Sequence, residues 1–65
     1  MSKKKLEIGD RIVVMGRPEV ARVAEIKWSK KDFRYEIIVD WGAFGKSRVW
    51  DTDEGKVWLK YTESN

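Results

Sequence analysis

Phe33, Tyr35, Ile37, Val39 and Trp41 occupy every odd position of a nine-residue run, and Arg34, Glu36 and Asp40 fill three of the even ones. A period of two puts one set of side chains on one face of a β-strand. Such a strand needs cover for its apolar face and partners for its two edges. Ile38 interrupts the polar set, so the second face is read as partly covered as well, as in a barrel. The chain has little length with which to supply that cover. It holds 65 residues and makes one domain at most. A domain of this size buries only about 60% of its unfolded surface. The net worth of its core is ~3–5 kcal/mol.

The remaining runs read as further short strands. Arg11 to Met15, after Gly9-Asp10, is rich in β-branched residues and ends at Gly16-Arg17-Pro18. Pro18 lacks an amide donor and belongs to the loop. Val20 to Trp28 is the second strand. Its Ala21 and Val23 are out of phase with Ile26 and Trp28, which a bulge near Ala24 reconciles. A helix over Glu19 to Lys27 competes, because Val20, Val23, Ala24 and Lys27 also follow helical spacing. Ser29-Lys30-Lys31-Asp32 has a good length for a hairpin connection. Gly42 to Gly45 is a turn, and Lys46 to Trp50 a fourth strand. Asp51 to Gly55 resembles one helical or 3₁₀ turn, with Asp51 as cap and a left-handed Gly55 as its end. Lys56 to Tyr61 alternates again, with Val57 and Leu59 counted toward the core. The expected architecture is all-β: a five-stranded SH3-like barrel with a single 3₁₀ or helical turn before the last strand, ranked ahead of an OB-like barrel. Residues 1–7 read as a flexible basic leader, 8–61 as the barrel and 62–65 as a polar tail.

Several of these residues resemble a known pattern. Gly9-Asp10, then Ala21-x-Val23-x-x-Ile26, then Val39-Asp40-Trp41-Gly42 are similar in order and spacing to the skeleton of Tudor and chromo-barrel domains, over about residues 9 to 60. The resemblance implies a non-enzymatic module that reads methylated lysine or arginine in an aromatic cage. Trp41 falls on a cage position of that family. Elsewhere the chain departs from it. Glu19 and Val20 stand where a reader often has an aromatic, Ile38 where the family often has Phe, and Ala43 where it often has Asn. Trp28, Phe44 and Trp50 are the candidate substitutes.

Composition narrows the chemistry. The chain has no cysteine and no histidine, so it lacks disulfides, thiolate sites and the usual general base. No cofactor or metal site is expected, and no enzyme. No apolar run spans a bilayer, no membrane partner is expected, and the sequence reads as intracellular, nuclear or cytoplasmic. Of 14 basic residues, Lys3, Lys4 and Lys5 lie in the leader, which leaves 11 against 11 acidic residues in the body.

Two binding readings follow. Eight aromatic side chains, each of roughly 150–250 Å², overfill a barrel this small. Some rings near the 41–50 segment are therefore expected to face water. Trp41, Phe44 and Trp50, with Asp40 and Trp28, then form a surface for a protein partner. A cationic or methylated peptide, a histone tail or another basic segment, suits aromatic faces flanked by Asp51, Asp53 and Glu54. On this reading Trp41→Ala removes binding and spares the fold. The alternative is DNA or RNA, held by Lys27, Lys30, Lys31, Arg34, Lys46 and Arg48 interleaved with aromatics, with help from the lysine leader.

Overall fold

The computed structural model describes residues 6–61. The readings of 1–5 as leader and of 62–65 as tail lie outside the described residues. Leu6 already packs against the core, and the Glu7 amide donates to Asp10 Oδ2 at 2.8 Å. The packed domain thus takes in the last two residues assigned to the leader.

The chain is all-β. Five strands, β1 (Arg11–Val14), β2 (Val20–Ser29), β3 (Arg34–Asp40), β4 (Lys46–Trp50) and β5 (Trp58–Lys60), are joined in sequence order. They form one antiparallel sheet in the order β4-β3-β2-β1-β5. The sheet is not closed into the expected barrel. β4 and β5 are its two edges, and no ladder joins them among the described residues. The segment between them holds a 3₁₀ turn, Asp51–Asp53, and a tight turn, so the three-residue β5 pairs with β1 on one side and meets only Glu54 and Gly55 of that segment on the other. A side chain spans the gap instead: Trp58 Nε1 donates to the Trp50 carbonyl at 2.7 Å.

β2 is a strand over its whole length, not a helix. Its two phases are reconciled by a register shift between Val23 and Glu25, where the bulge was expected. Ala21 and Val23 are buried, and after the bulge Ile26 packs on the core. The extra residue bends the strand and increases its twist. Just before β1 the chain is tied to the same point, since the Gly9 amide donates to Val23 O and the Val23 amide to Asp10 O, both at 2.8 Å.

The odd-numbered face of β3 divides in two. Ile37, Val39 and the following Trp41 are buried, whereas Tyr35 is exposed. Phe33 lies outside the strand. β2 and β3 run past the end of β1, so among the described residues no strand covers the far end of their hairpin. The Gly42–Phe44 turn is itself 3₁₀, making two such turns rather than one. Gly42 at φ 74° and Gly45 at φ 89° supply the left-handed conformations it needs. The expected Asp51 cap is absent: no side chain caps the second turn.

The core consists of Ile12, Val23, Ile37 and Val39, together with Ala21, Val49 and the indoles of Trp41 and Trp58. The phase of β5 is opposite to the expected one. Trp58 is 2% exposed, while Val57 and Leu59 face out. The pairing of Val14 with Trp58 and the indole bond to Trp50 fix that phase. One large ring fills the space better than two small side chains, and its N–H meets a carbonyl that would otherwise lack a donor. Trp58→Phe keeps most of the ring and removes the donor, so it should lower stability by about 1–3 kcal/mol. Chemical denaturation followed by far-UV circular dichroism measures this, and an unchanged midpoint would show that the indole bond contributes nothing.

Candidate functional site

The residues expected to form a cation-binding surface do not converge on one. Trp41 is 7% exposed and belongs to the core. Its Nε1 donates to Ser47 Oγ at 3.0 Å, and the Arg17 guanidinium lies 4.2 Å from its ring centre. The expectation that an indole at the glycine-flanked bend faces water is therefore corrected. The bend turns Trp41 inward, because it continues the buried phase of Ile37 and Val39. Phe44, in the 3₁₀ turn, does face water, at 68% exposure. Trp50 is half-buried on β4, with Arg34 and Arg48 at 4.1 and 4.9 Å from its ring centre. Its quadrupole is already matched by cations of the chain itself. Asp40 Oδ1 accepts from the Gly42 amide at 2.8 Å and so shapes the turn. Trp28 lies elsewhere, at the far end of β2.

That far end is where free aromatic surface collects. Trp28 and Tyr35 stand opposite each other in the β2–β3 register. Their ring centres are 5.0 Å apart at 69°, an edge-to-face pair worth about 0.5–1.5 kcal/mol. Both are exposed, Trp28 at 51%. The base of the hairpin is held by Asp51. Its Oδ1 accepts from the Tyr35 amide at 3.0 Å, continuing the β3–β4 ladder one residue past β4. The tip is held by Ser29, whose Oγ accepts from the Asp32 amide and whose carbonyl accepts from the Phe33 amide. Phe33 follows with φ 55°, the one described non-glycine residue at positive φ. Its side chain is 79% exposed.

The basic residues fall into two sets. Lys27, Lys30 and Lys31 lie on this hairpin, all exposed. Lys27 pairs with Glu25 at 3.4 Å on the surface, a contact worth at most about 1 kcal/mol. Arg34, Lys46 and Arg48 lie on the outer face of β3 and β4. Arg34 donates to Thr52 Oγ1 at 3.1 Å. Arg48 pairs with Glu36 at 3.3 Å, and Lys46 stands opposite Asp40. The second set is thus a mixed-charge face with Trp50 within it, while Lys30 and Lys31 lie in the turn of the hairpin that carries the open rings and Lys27 lies on the face opposite them. The sequence places Phe33 next to the basic residues of this hairpin, but neither Phe33 nor Tyr35 was expected as a site residue because both sit in phase with the core face of β3. The Ser29 and Asp32 bracket was the available signal, since it places the next residue at the turn's left-handed position.

No family model, curated protein or solved structure matches this chain. Function must therefore be argued from the site itself.

Trp41 is a structural residue, so Trp41→Ala should destabilise the domain by about 3–5 kcal/mol. Against a net stability of similar size, the variant should be largely unfolded at 25 °C. A dispersed amide spectrum like that of the parent chain would contradict this placement of the indole.

Proposed function

We propose that this chain is a non-enzymatic binding module on an SH3-like frame that holds single-stranded nucleic acid at the open end of the β2–β3 hairpin. The strand order, the bulge in β2 and the indole link between the edge strands support the frame. The frame alone names no ligand; the hairpin carries that part of the reading.

The observation that carries it is Phe33. An L-residue in the left-handed region is disfavoured by about 1–2 kcal/mol, and a bulky one there is an outlier. Phe33 holds that conformation while 79% exposed, so packing gives little back. Glycine or asparagine would suit the turn better. A ring kept outside at such a disadvantage is accounted for by what it touches when a ligand is present. On the same hairpin are Trp28 and Tyr35 and, in its turn, the exposed cations Lys30 and Lys31. Bases stack on aromatic faces for about 1–3 kcal/mol each, and lysines follow the backbone phosphates. The cationic-peptide reading has less behind it, because Trp41 is internal and the Trp50 ring already carries two guanidiniums.

Phe33→Gly separates fold from function. It should raise stability by about 1 kcal/mol while weakening binding of a ten-residue oligothymidylate by about 5- to 100-fold. With Lys30 and Lys31 engaged, the parent's log affinity should fall with log salt at a slope of about −1.4. Fluorescence anisotropy at several salt concentrations reads both. The reading fails if the parent chain does not bind the oligonucleotide at low salt, or if the Phe33→Gly variant binds as tightly as the parent.

A further inference from the structure

The face of the sheet that points away from the core carries a second, chemically different surface. Register sets Val20, Val13 and Leu59 opposite one another across β2, β1 and β5. Val20 and Leu59 are exposed and Val13 half-buried. The β1–β5 ladder runs on through the Met15 amide, which donates to Val57 O at 2.7 Å and adds two more exposed apolar side chains. An outward face of an antiparallel sheet is ordinarily polar, so this aliphatic strip is out of pattern.

Its border is cationic. The next row of the same face holds Arg22 and Arg11 directly opposite each other, followed by Tyr61, with the Arg11 guanidinium 5.6 Å from the Tyr61 ring centre. At Val20 the strip opens into a cleft of about 290 Å³ lined by Val20, Arg22, Asp40, Trp41 and Gly42. Arg17 lies over the Trp41 ring. The two carboxylates nearby are engaged within the chain. Glu19 lies 3.6 Å from Arg17, and Asp40, which stands opposite Arg22 in the β2–β3 register, accepts from Gly42 through Oδ1.

We propose that this strip and cleft dock an extended acidic segment of a partner protein, one that alternates apolar side chains with carboxylates. A strand-like segment presents alternate residues to one surface. Its apolar side chains lie along Val13, Val20 and Leu59, and a carboxylate meets Arg22 at the cleft. A second copy of the chain does not suit the surface. Five aliphatic side chains, one of them half-buried, offer much less than the ~800 Å² that each partner contributes to a standard interface. A two-fold pairing would also set arginine border near arginine border. Nucleic acid suits it less, because the strip itself is aliphatic and the neighbouring Tyr61 ring already faces the Arg11 guanidinium. The surface is separate from the tip of the β2–β3 hairpin, and the proposal does not depend on the nucleic-acid reading.

The test is a titration of the ¹⁵N-labelled 65-residue chain with the blocked hexapeptide Asp-Leu-Glu-Val-Asp-Leu, and with its counterpart carrying lysine for each acid. The acidic peptide should move the amides of Val13, Val20, Arg22 and Leu59 and the Trp41 indole signal, saturating near or below ~1 mM, the affinity range of a small transient contact. The lysine peptide should leave them in place. Val20→Glu and Arg22→Glu, both at exposed positions, should each weaken binding about tenfold with unchanged thermal melting. Any of four results overturns the proposal: no shifts with the acidic peptide, equal shifts with the lysine peptide, shifts confined to the hairpin tip, or shifts of the strip with protein concentration alone, which would make a second copy the occupant.

Discussion

A sheet of five short strands has room for two indoles, and which two it takes determines the rest of the surface. Trp58 enters from β5 and Trp41 from the end of β3, packing with Ile12, Val23, Ile37 and Val39. Each brings a polar N–H into the interior and each N–H finds an acceptor within the chain, Ser47 Oγ for Trp41 and the Trp50 carbonyl for Trp58. The second of these bonds also connects the two edge strands that no ladder joins. Removing it frees a donor and a carbonyl and leaves β5 linked to β4 through core packing alone, which is why a thin core depends so much on one contact.

The other rings are distributed by what the strands leave uncovered. Trp50, on the outer side of β4, is braced by Arg34 and Arg48. Trp28 and Tyr35 pair with each other where β2 and β3 outrun β1. Phe33 is carried beyond them by the turn, in a backbone conformation that does not favour it. On the opposite face, the phase that sends Trp58 inward sends Leu59 outward, and the register then lines it up with Val13 and Val20. The aliphatic strip is in this sense a by-product of burying an indole. Two surfaces of different chemistry result from one packing decision.

Much of the fold was legible from local pattern. Alternation in Phe33 to Trp41 gave β3, the broken phase of Val20 to Trp28 gave the bulge, and the glycines at 42 and 45 gave the turn. What failed was phase and closure. Val57, Leu59 and Tyr61 alternate with Trp58 and Lys60, and no local signal says which set turns inward; the partner strand decides it through Val14 and Trp58. Trp41 was misread for a related reason. A glycine after an aromatic suggests a loop tip, yet residue 41 still carries the alternation of β3, and the strand's phase outweighed the loop. Phe33 was misread in the opposite direction, since a period of two says nothing about where a neighbouring strand stops. The closed barrel was expected because small sheets tend to hide their edges, but β5 has only three residues with which to do so.

The partition of the indoles is open to direct observation. Hydrogen–deuterium exchange of the four tryptophan indole N–H signals, followed by heteronuclear NMR, ranks them by protection. Trp58 and Trp41 should be the slowest, because both are enclosed and hydrogen-bonded, and Trp28 the fastest. Exchange of the Trp41 signal as fast as that of Trp28 would contradict this order. That outcome would return the indole to the surface at the glycine-flanked turn and remove the packing from which both binding surfaces follow.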